Sequence, residues 1–203
     1  IRKSLVGSEM CIRDRKIEAE IPCKLNQEQA TTYRKLAEQG ILDHGENLGE
    51  AIRQSPTHLF SLLTRLRQTC CDLSLLPGIE RNESSGIKGE ILLQKLDDLS
   101  RSGTKAIVFS QFTSYLQILE KDISKRLPSI KLLKLTGATR DRAKPVEEFQ
   151  CHPDSAIMLA SLKAAGLGIT LTAADYIFLM DPWWNPAVEE QAIDRAHRIG
   201  RQK

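Results

Sequence analysis

The end of the chain places a glutamine and two arginines at the spacing of one helical turn. Gln191, Arg195 and Arg198 recur at four- and three-residue intervals, so they share one face of a helix that Asn185-Pro186 can open. Two guanidinium groups held in this way suit the oxygen atoms of a phosphate. The spacing therefore predicts a phosphate-binding helix. The alternative is that both arginines pair with acidic neighbours on a solvated helix face.

A short apolar segment precedes this helix. Residues Tyr176 to Met180 are apolar and are followed by Asp181-Pro182, which is typical of a buried strand that ends where proline removes a backbone donor. Ligands of open α/β sheets bind at the carboxyl ends of the strands. The strand therefore predicts that the arginine helix starts at the functional edge of a sheet.

Two glycines upstream have a spacing that allows anion binding. Gly166 and Gly168 permit close approach of a ligand to the backbone, and their N–H groups can surround an anion. A single Gly-x-Gly is weak evidence, and an ordinary turn is the alternative.

Two stretches of the sequence resemble motifs of the SNF2 family of DNA-dependent ATPases, within helicase superfamily two. Asp181-Pro-Trp-Trp-Asn-Pro resembles the family's DPWWNP box, and Gln191-Ala-Ile-Asp-Arg-Ala-His-Arg-Ile-Gly200 resembles its motif VI. RNA helicases of the same superfamily share a motif VI with two arginines but lack the tryptophan box. The resemblance covers residues 17–203 and is most specific over residues 105–200.

The resemblance implies roles in ATP hydrolysis. Arg195 and Arg198 are expected to act as arginine fingers that neutralise charge on the γ-phosphate, with Gln191 as polar support at the nucleotide. Gly166 and Gly168 are expected near the ribose. Mg²⁺ and most of the ATP contacts are expected on a first RecA-like lobe, because the sequence has neither a phosphate loop nor a DExx-type acidic run.

The resemblance also implies contacts to double-stranded DNA. Ser110-Gln111-Phe112 resembles motif IV and residues 161–170 resemble motif V. Ala165, Thr170 and Arg201 depart from the family's usual residues. For the two tryptophans, core packing at the strand-to-helix corner is the alternative to a DNA contact. We expect one ring to be buried and the other to be partly exposed. The expected DNA-binding residues are Ser110, Gln111, Ser161, Lys163, Thr170, Trp183 and Trp184.

The order of elements predicts an α/β fold. Apolar strands alternate with amphipathic helices from Lys88 onward, which is typical of a RecA-like lobe whose parallel sheet is covered by helices on both faces. Before it, a short strand from Lys16 and helices starting at Gln27 and Pro56 predict a small helical protrusion. The stretch Leu62 to Asp72 resembles the LRQxCC segment of SNF2 proteins.

Four segments are expected along the chain. Residues 1–15 resemble translated sequencing-adapter sequence or a disordered tail, and we leave them out of the fold prediction. Residues 16–77 are expected to form the end of the first lobe and the protrusion. Residues 78–89 are rich in Gly, Ser, Asn and Glu and predict a linker. Residues 90–203 are expected to form the second lobe, truncated after motif VI.

Composition limits the remaining possibilities. The chain of 203 residues is 41% hydrophobic and 27% charged, with a net charge of +3, as in an ordinary globular protein. The five cysteines form no CxxC pair, and His152 and His197 have no matching ligands, so no metal site is expected. An odd cysteine count fits an intracellular compartment, and no apolar run is long enough for a membrane span.

The sequence therefore predicts the C-terminal lobe of an ATP-dependent double-stranded-DNA translocase or remodelling motor. Without the first lobe, the segment is expected to be inactive. A non-catalytic DNA- or protein-binding module is the main alternative, and an RNA helicase lobe is a weaker one.

Overall fold

The computed structural model describes residues 2–6, 16–44, 56–80, 86–165, 171–181 and 187. These residues divide into two compact units. A sheet unit contains residues 1–22 and 92–203, and a helical unit contains residues 23–91. The predicted linker, residues 78–89, ends close to this division. The strand that begins at Lys16, predicted as part of the protrusion segment, instead belongs to the sheet unit.

The sheet unit is built on six strands in the order β2-β1-β6-β3-β5-β4. The last four strands of this order are parallel to one another. This parallel sheet confirms the predicted α/β fold. The strands are β1 (Arg2–Val6), β2 (Lys16–Glu20), β3 (Ala106–Ser110), β4 (Lys131–Leu135), β5 (Ala156–Ser161) and β6 (Tyr176–Leu179).

The strands β3 and β5 form the centre of the core. Every residue of both strands is buried. Since successive side chains of a strand point to opposite faces, both faces of the sheet are covered at this position. Continuous apolar strands such as Ala106–Phe109 are typical of parallel sheets for this reason.

The strand β1 is not predicted by the sequence pattern. It pairs antiparallel with β2 on one side and with β6 on the other, so that Leu5 lies opposite both Ile17 and Tyr176. The fold prediction leaves out residues 1–15, and for residues 2–6 the structure differs. Its neighbour β2 is close in the chain, but its other neighbour β6 is about 170 residues away, and no local pattern predicts that pairing.

Most helices lie where the pattern predicts them, with small shifts at their ends. The helix that begins at Gln27 differs, because Gly40 is predicted to follow its end and the helix instead continues through Gly40 to His44. Pro145 lies in the first turn of its helix, where the absence of an N–H group costs little. The helix Thr113–Arg126 buries Tyr115, Leu116, Leu119 and Ile123. The helices are α1 (Gln27–His44), α2 (Pro56–Cys71), α3 (Ile87–Ser100), α4 (Thr113–Arg126), α5 (Ala143–Cys151) and the single-turn α6 (Leu162–Ala165).

The helical unit is held by the packing of α1 on α2. Asn26 caps α1 as predicted, since its side-chain oxygen accepts the backbone N–H of Gln29 at 2.8 Å. A Cβ atom on Gly40 of α1 would lie 2.2 Å from the Leu62 side chain of α2, so the absence of a side chain allows the close approach. A 3-10 turn, Leu73–Leu75, follows α2 and is capped by Asp72. None of the described helices is long and apolar enough to cross a membrane.

Candidate functional site

The carboxyl ends of the four parallel strands lie side by side along one edge of the sheet, which we call the carboxyl edge. At this edge, each parallel strand ends in one buried polar side chain. Such side chains are rare in the interior unless they have a structural or functional partner. In the described part of the sheet unit, the buried polar side chains all lie at this edge. They are Ser110 (0% exposed) after β3, Ser161 (5%) in β5, Thr136 (7%) after β4 and Asp181 (2%) after β6.

The register of the strands aligns these residues in a row. Ser110 lies directly opposite Ser161, and Leu135 lies opposite Ala160, which places Thr136 beside Ser161. On the other side, the backbone N–H of Met180 donates to the carbonyl of Phe109 at 3.0 Å. Asp181, the second residue after β6, therefore lies level with Gln111.

A side-chain bond joins the two strand ends beyond the last ladder bond. The backbone N–H of Gln111 donates to Oδ2 of Asp181 at 3.1 Å. We call this the carboxyl-edge bond. A bond from a backbone N–H to a carboxylate is stronger than one between neutral groups. It fixes the start of the loop between β3 and α4 to Asp181.

The hydroxyl of Ser110 fixes the same loop from the inside. Its Oγ accepts the backbone N–H of Phe112 at 3.0 Å. The two consecutive N–H groups of Gln111 and Phe112 are thus both bonded to side chains. The side chain of Ser110 faces its own loop and is fully buried, which fits a role in holding the loop in place.

The start of motif V shows a similar arrangement. The hydroxyl of Ser161 accepts the backbone N–H of Ala164 at 3.3 Å, which supports the single turn of α6. Lys163, in the middle of this turn, is exposed. At the end of β4, the hydroxyl of Thr139 accepts the N–H of Thr136 at 3.0 Å and closes the turn that contains Gly137. Hydroxyl groups therefore order three of the loops at the carboxyl edge.

The opposite edge of the sheet, the amino edge, is tied by bonds of the same kind. Oδ2 of Asp175 accepts the backbone N–H of Lys105 at 2.8 Å, a contact that we call the amino-edge bond. The Lys105 ammonium group donates to the carbonyl of Gln150 at 3.0 Å and lies 5.8 Å from the ring centre of Phe149. No predicted functional residue lies at this edge, so these bonds serve the fold.

The predicted site residues fall into two groups. Ser110, Gln111, Ser161 and Lys163 are described, and all four lie at the carboxyl edge. Ser110 and Ser161 are buried, Gln111 is half-buried and Lys163 is exposed. The other predicted residues lie outside the described part of the chain: Gly166, Gly168, Thr170, Trp183, Trp184, Gln191, Arg195 and Arg198.

Sequence reasoning did not select Asp181 and Thr136 as site residues. Both occupy the position directly after an apolar strand, and this signal could have identified them. The signal would not have given the partner of Asp181, because Gln111 is 70 residues away in the chain.

The described residues do not provide a metal site. Within them, no group of three or more His, Cys, Asp or Glu side chains is arranged to hold a metal ion. Asp181 is the carboxylate of the carboxyl-edge row, and one of its oxygens is used by Gln111. The described part of the edge therefore does not fit Mg²⁺ on its own.

A separate pocket lies within the helical unit. Its volume is about 250 Å³, and it is formed where α1 and α2 approach each other. The lining residues are Leu36, Gln39, Gly40, His58, Ser61, Leu62 and Arg65. None of them is a predicted site residue, so we place the candidate site at the carboxyl edge rather than in this pocket.

Comparison with known proteins identifies the family. Residues 88–200 match the model of the helicase conserved C-terminal domain. The chain is 46% identical over 125 residues to the DNA repair protein RAD5A of Arabidopsis thaliana, which corresponds to 62% of this chain and 12% of that protein. The chain thus spans about an eighth of the length of this relative.

Solved structures show the same fold. The SWI2/SNF2 ATPase core domain of Sulfolobus solfataricus superposes with a TM-score of 0.74 at 28% identity, over 88% of this chain and 36% of that one. The same core in complex with double-stranded DNA gives a TM-score of 0.71 at 27% identity, over 89% of this chain and 37% of that one. The chain belongs to the helicase conserved C-terminal domain family and, within it, to the SNF2 type of superfamily two.

Proposed function

We propose that this chain forms the C-terminal ATPase lobe of an ATP-dependent double-stranded-DNA translocase that remodels chromatin or other protein–DNA complexes. The observation that supports this most strongly is the carboxyl edge. A row of buried polar groups lies at the strand ends, and in the sequence the last of them, Asp181, begins the DPWWNP box, which motif VI follows. ATP would bind in the cleft between this lobe and a first RecA-like lobe, which holds the Mg²⁺ ion.

In this proposal the arginines act on the γ-phosphate. Arg195 and Arg198 neutralise the charge that develops in the transition state, Gln191 supports the nucleotide, and Gly166 and Gly168 lie near the ribose. An arginine finger contributes a factor of about 10³–10⁵ in rate, or about 4–7 kcal/mol of barrier. The resemblance to motif VI supports the assignment.

The DNA contacts divide into direct and indirect ones. Gln111, Lys163, Thr170 and the tryptophans Trp183 and Trp184 contact the DNA. Ser110 and Ser161 act through their loops, because each is buried and its hydroxyl accepts a loop N–H. Backbone contacts of this kind give affinity and salt dependence but little sequence information.

The proposed DNA substrate determines the cellular compartment of the protein. The protein would work inside the cell where DNA is found, in a nucleus or a nucleoid. Relatives named as DNA repair proteins support this assignment.

ATP hydrolysis by the full-length protein, with and without double-stranded DNA, tests the proposal. We expect DNA to stimulate turnover, and Arg195→Ala or Arg198→Ala to lower it by about 10³-fold. Arg101→Ala is the matched control, because Arg101 is an exposed arginine paired with Asp97 in the same helix turn. Normal turnover in both finger variants would contradict the arginine roles.

The alternative function is a non-catalytic DNA-binding module. It predicts that the full-length wild type binds double-stranded DNA but does not hydrolyse ATP. Single-stranded RNA as a better activator than double-stranded DNA would instead favour an RNA helicase.

A further inference from the structure

The strands β3 and β6 are joined by one aspartate at each of their two ends. At the amino edge, Asp175 accepts the backbone N–H of Lys105 at 2.8 Å. At the carboxyl edge, Asp181 accepts the backbone N–H of Gln111 at 3.1 Å. The two bonds have the same chemistry and connect the same two strands. They differ in the backbone bonds around them and in the segments to which they lead.

The amino-edge bond lies among bonds that serve the fold. Its two residues are flanked by ladder bonds, since the N–H groups of Asp175 and Tyr176 both donate to the carbonyl of Lys105, at 2.9 and 3.1 Å. The loss of the Asp175 carboxylate therefore leaves the chain near Lys105 attached to β6.

The carboxyl-edge bond lies two residues beyond the paired residues Phe109 and Leu179. Between these positions, the N–H of Met180 donates to the carbonyl of Phe109 at 3.0 Å. In the sequence, β3 is followed by motif IV and α4, and Asp181 is followed by Pro182 and the tryptophan box. Asp181 thus ties the Gln111 loop to the end of β6.

Asp181 is only 2% exposed, so its carboxylate loses most of its hydration in the folded protein. The Gln111 N–H is a donor that offsets part of this cost, so the bond and the burial of Asp181 depend on each other. The Gln111 loop is also held by the Ser110 hydroxyl, which accepts the backbone N–H of Phe112 at 3.0 Å.

We propose that Asp181 is a positioning residue whose carboxylate holds the Gln111 loop, the start of motif IV, in the geometry that binds DNA. This inference rests on the proposed function. When this geometry is only fractionally populated, the apparent affinity for DNA falls by the same fraction.

The test compares Asp181→Ala with Asp175→Ala in the full-length protein. The first measurement is hydrogen exchange of the peptide that contains Gln111. The second is the DNA concentration that half-saturates the stimulation of ATP hydrolysis. For Asp181→Ala we expect faster exchange at Gln111 and a half-saturating DNA concentration about tenfold higher, as for a loop ordered about a tenth of the time. For Asp175→Ala we expect a DNA half-saturation close to that of the wild type.

The Asp181→Asn variant provides a second arm if the alanine variant does not fold. Its amide oxygen still accepts the Gln111 N–H, so the DNA half-saturation should lie between the wild type and Asp181→Ala. An equal rise in Asp175→Ala and Asp181→Ala would indicate general loosening of the sheet and would overturn the proposal. So would unchanged exchange at Gln111 in Asp181→Ala. If double-stranded DNA did not stimulate ATP hydrolysis by the wild-type protein, the proposed function itself would be overturned. The wild-type measurement therefore tests the proposed function separately from the role of Asp181.

Discussion

The side chain of Gln29 bonds the backbone of Thr69 across the two helices of the helical unit. Its Nε2 donates to the Thr69 carbonyl at 2.8 Å, and its Oε1 accepts the N–H of Ile87 at 3.4 Å. Gln29 is fully buried. One amide thus joins α1, α2 and the start of α3, and both of its polar atoms have partners inside the unit.

Replacing Gln29 should destabilise the helical unit even when the volume of the side chain is kept, because two hydrogen bonds are lost. Gln29→Met keeps the volume but leaves the Thr69 carbonyl and the Ile87 N–H without this partner, which costs about 1–3 kcal/mol. Urea unfolding followed by circular dichroism measures the change. The control is Gln27→Met at the exposed start of the same helix, which should change stability by less than about 0.5 kcal/mol. Equal effects of the two changes would contradict the role of the amide.

Two glycines should respond oppositely to alanine. A Cβ atom on Gly86 would lie 2.3 Å from the backbone carbonyl oxygen of Cys71, and the backbone would have to move. Gly86→Ala should therefore destabilise the protein by about 1–3 kcal/mol. A Cβ atom on Gly137 meets nothing within 4 Å, and its φ is not positive. Gly137→Ala should leave stability unchanged or raise it by up to about 1 kcal/mol.

Thermal unfolding of both glycine variants gives the comparison. A Gly86→Ala protein as stable as the wild type would show that the loop before α3 moves away from Cys71 without cost. A strongly destabilised Gly137→Ala protein would show that the turn after β4 requires glycine for a reason other than space.

The sequence predicted the strands well because burial on both faces leaves a continuous apolar run, as in Ala106–Phe109. It also placed Ser110 and Ser161 at the carboxyl edge, since polar residues end these buried strands. It could not show that both hydroxyls bond their own loops. The residue type is compatible with a DNA contact and with a loop bond, and only the side-chain direction distinguishes them.

Long-range contacts were beyond sequence patterns for a different reason. The carboxyl-edge bond and the amino-edge bond each join residues 70 positions apart. A pattern within one element gives its type and its buried face, but not the neighbour at the end of its strand. The same limit applies to β1, whose partner β6 lies near the other end of the chain.

The ion pair between Lys131 and Glu148 should be visible in a titration. The hydrogen bond from Lys131 lowers the pKa of Glu148 below its ordinary value of 4.5, and the charges of Lys144 and His152 act in the same direction. A carboxyl group whose pKa is lowered in the folded state stabilises the folded state at pH values above the ordinary pKa of the group. This contribution disappears as the pH falls through the lowered value.

The variant Lys131→Met should therefore raise the pKa of Glu148 towards its ordinary value, as measured by carbon NMR of the side-chain carboxyl group. The effect on stability should be small, because the pair is exposed to solvent. The control is Lys134→Met, because Lys134 lies on the same strand as Lys131 and pairs instead with Glu120 of α4. A Glu148 titration unchanged by Lys131→Met, or shifted equally by Lys134→Met, would contradict the assignment.

The exposed Lys163 offers a test of the DNA contacts that is independent of ATP hydrolysis. It lies in the turn after β5, at the carboxyl edge, where motif V is proposed to contact a phosphate. If the ammonium group neutralises one phosphate of double-stranded DNA, its removal should lower the slope of log affinity against log salt by about 0.9. Lys163→Ala should therefore weaken binding uniformly across sequences, with a smaller difference at high salt.

Fluorescence anisotropy of a labelled duplex with the full-length protein, over a series of salt concentrations, measures both quantities. Lys125→Ala is the matched control, because Lys125 is an exposed lysine in the last turn of α4, away from the proposed contacts. An unchanged salt slope in Lys163→Ala would show that Lys163 does not neutralise a DNA phosphate. An equal loss of slope in both variants would mean that binding follows the overall charge rather than the carboxyl edge, because phosphate contacts are local while net charge acts over the whole surface.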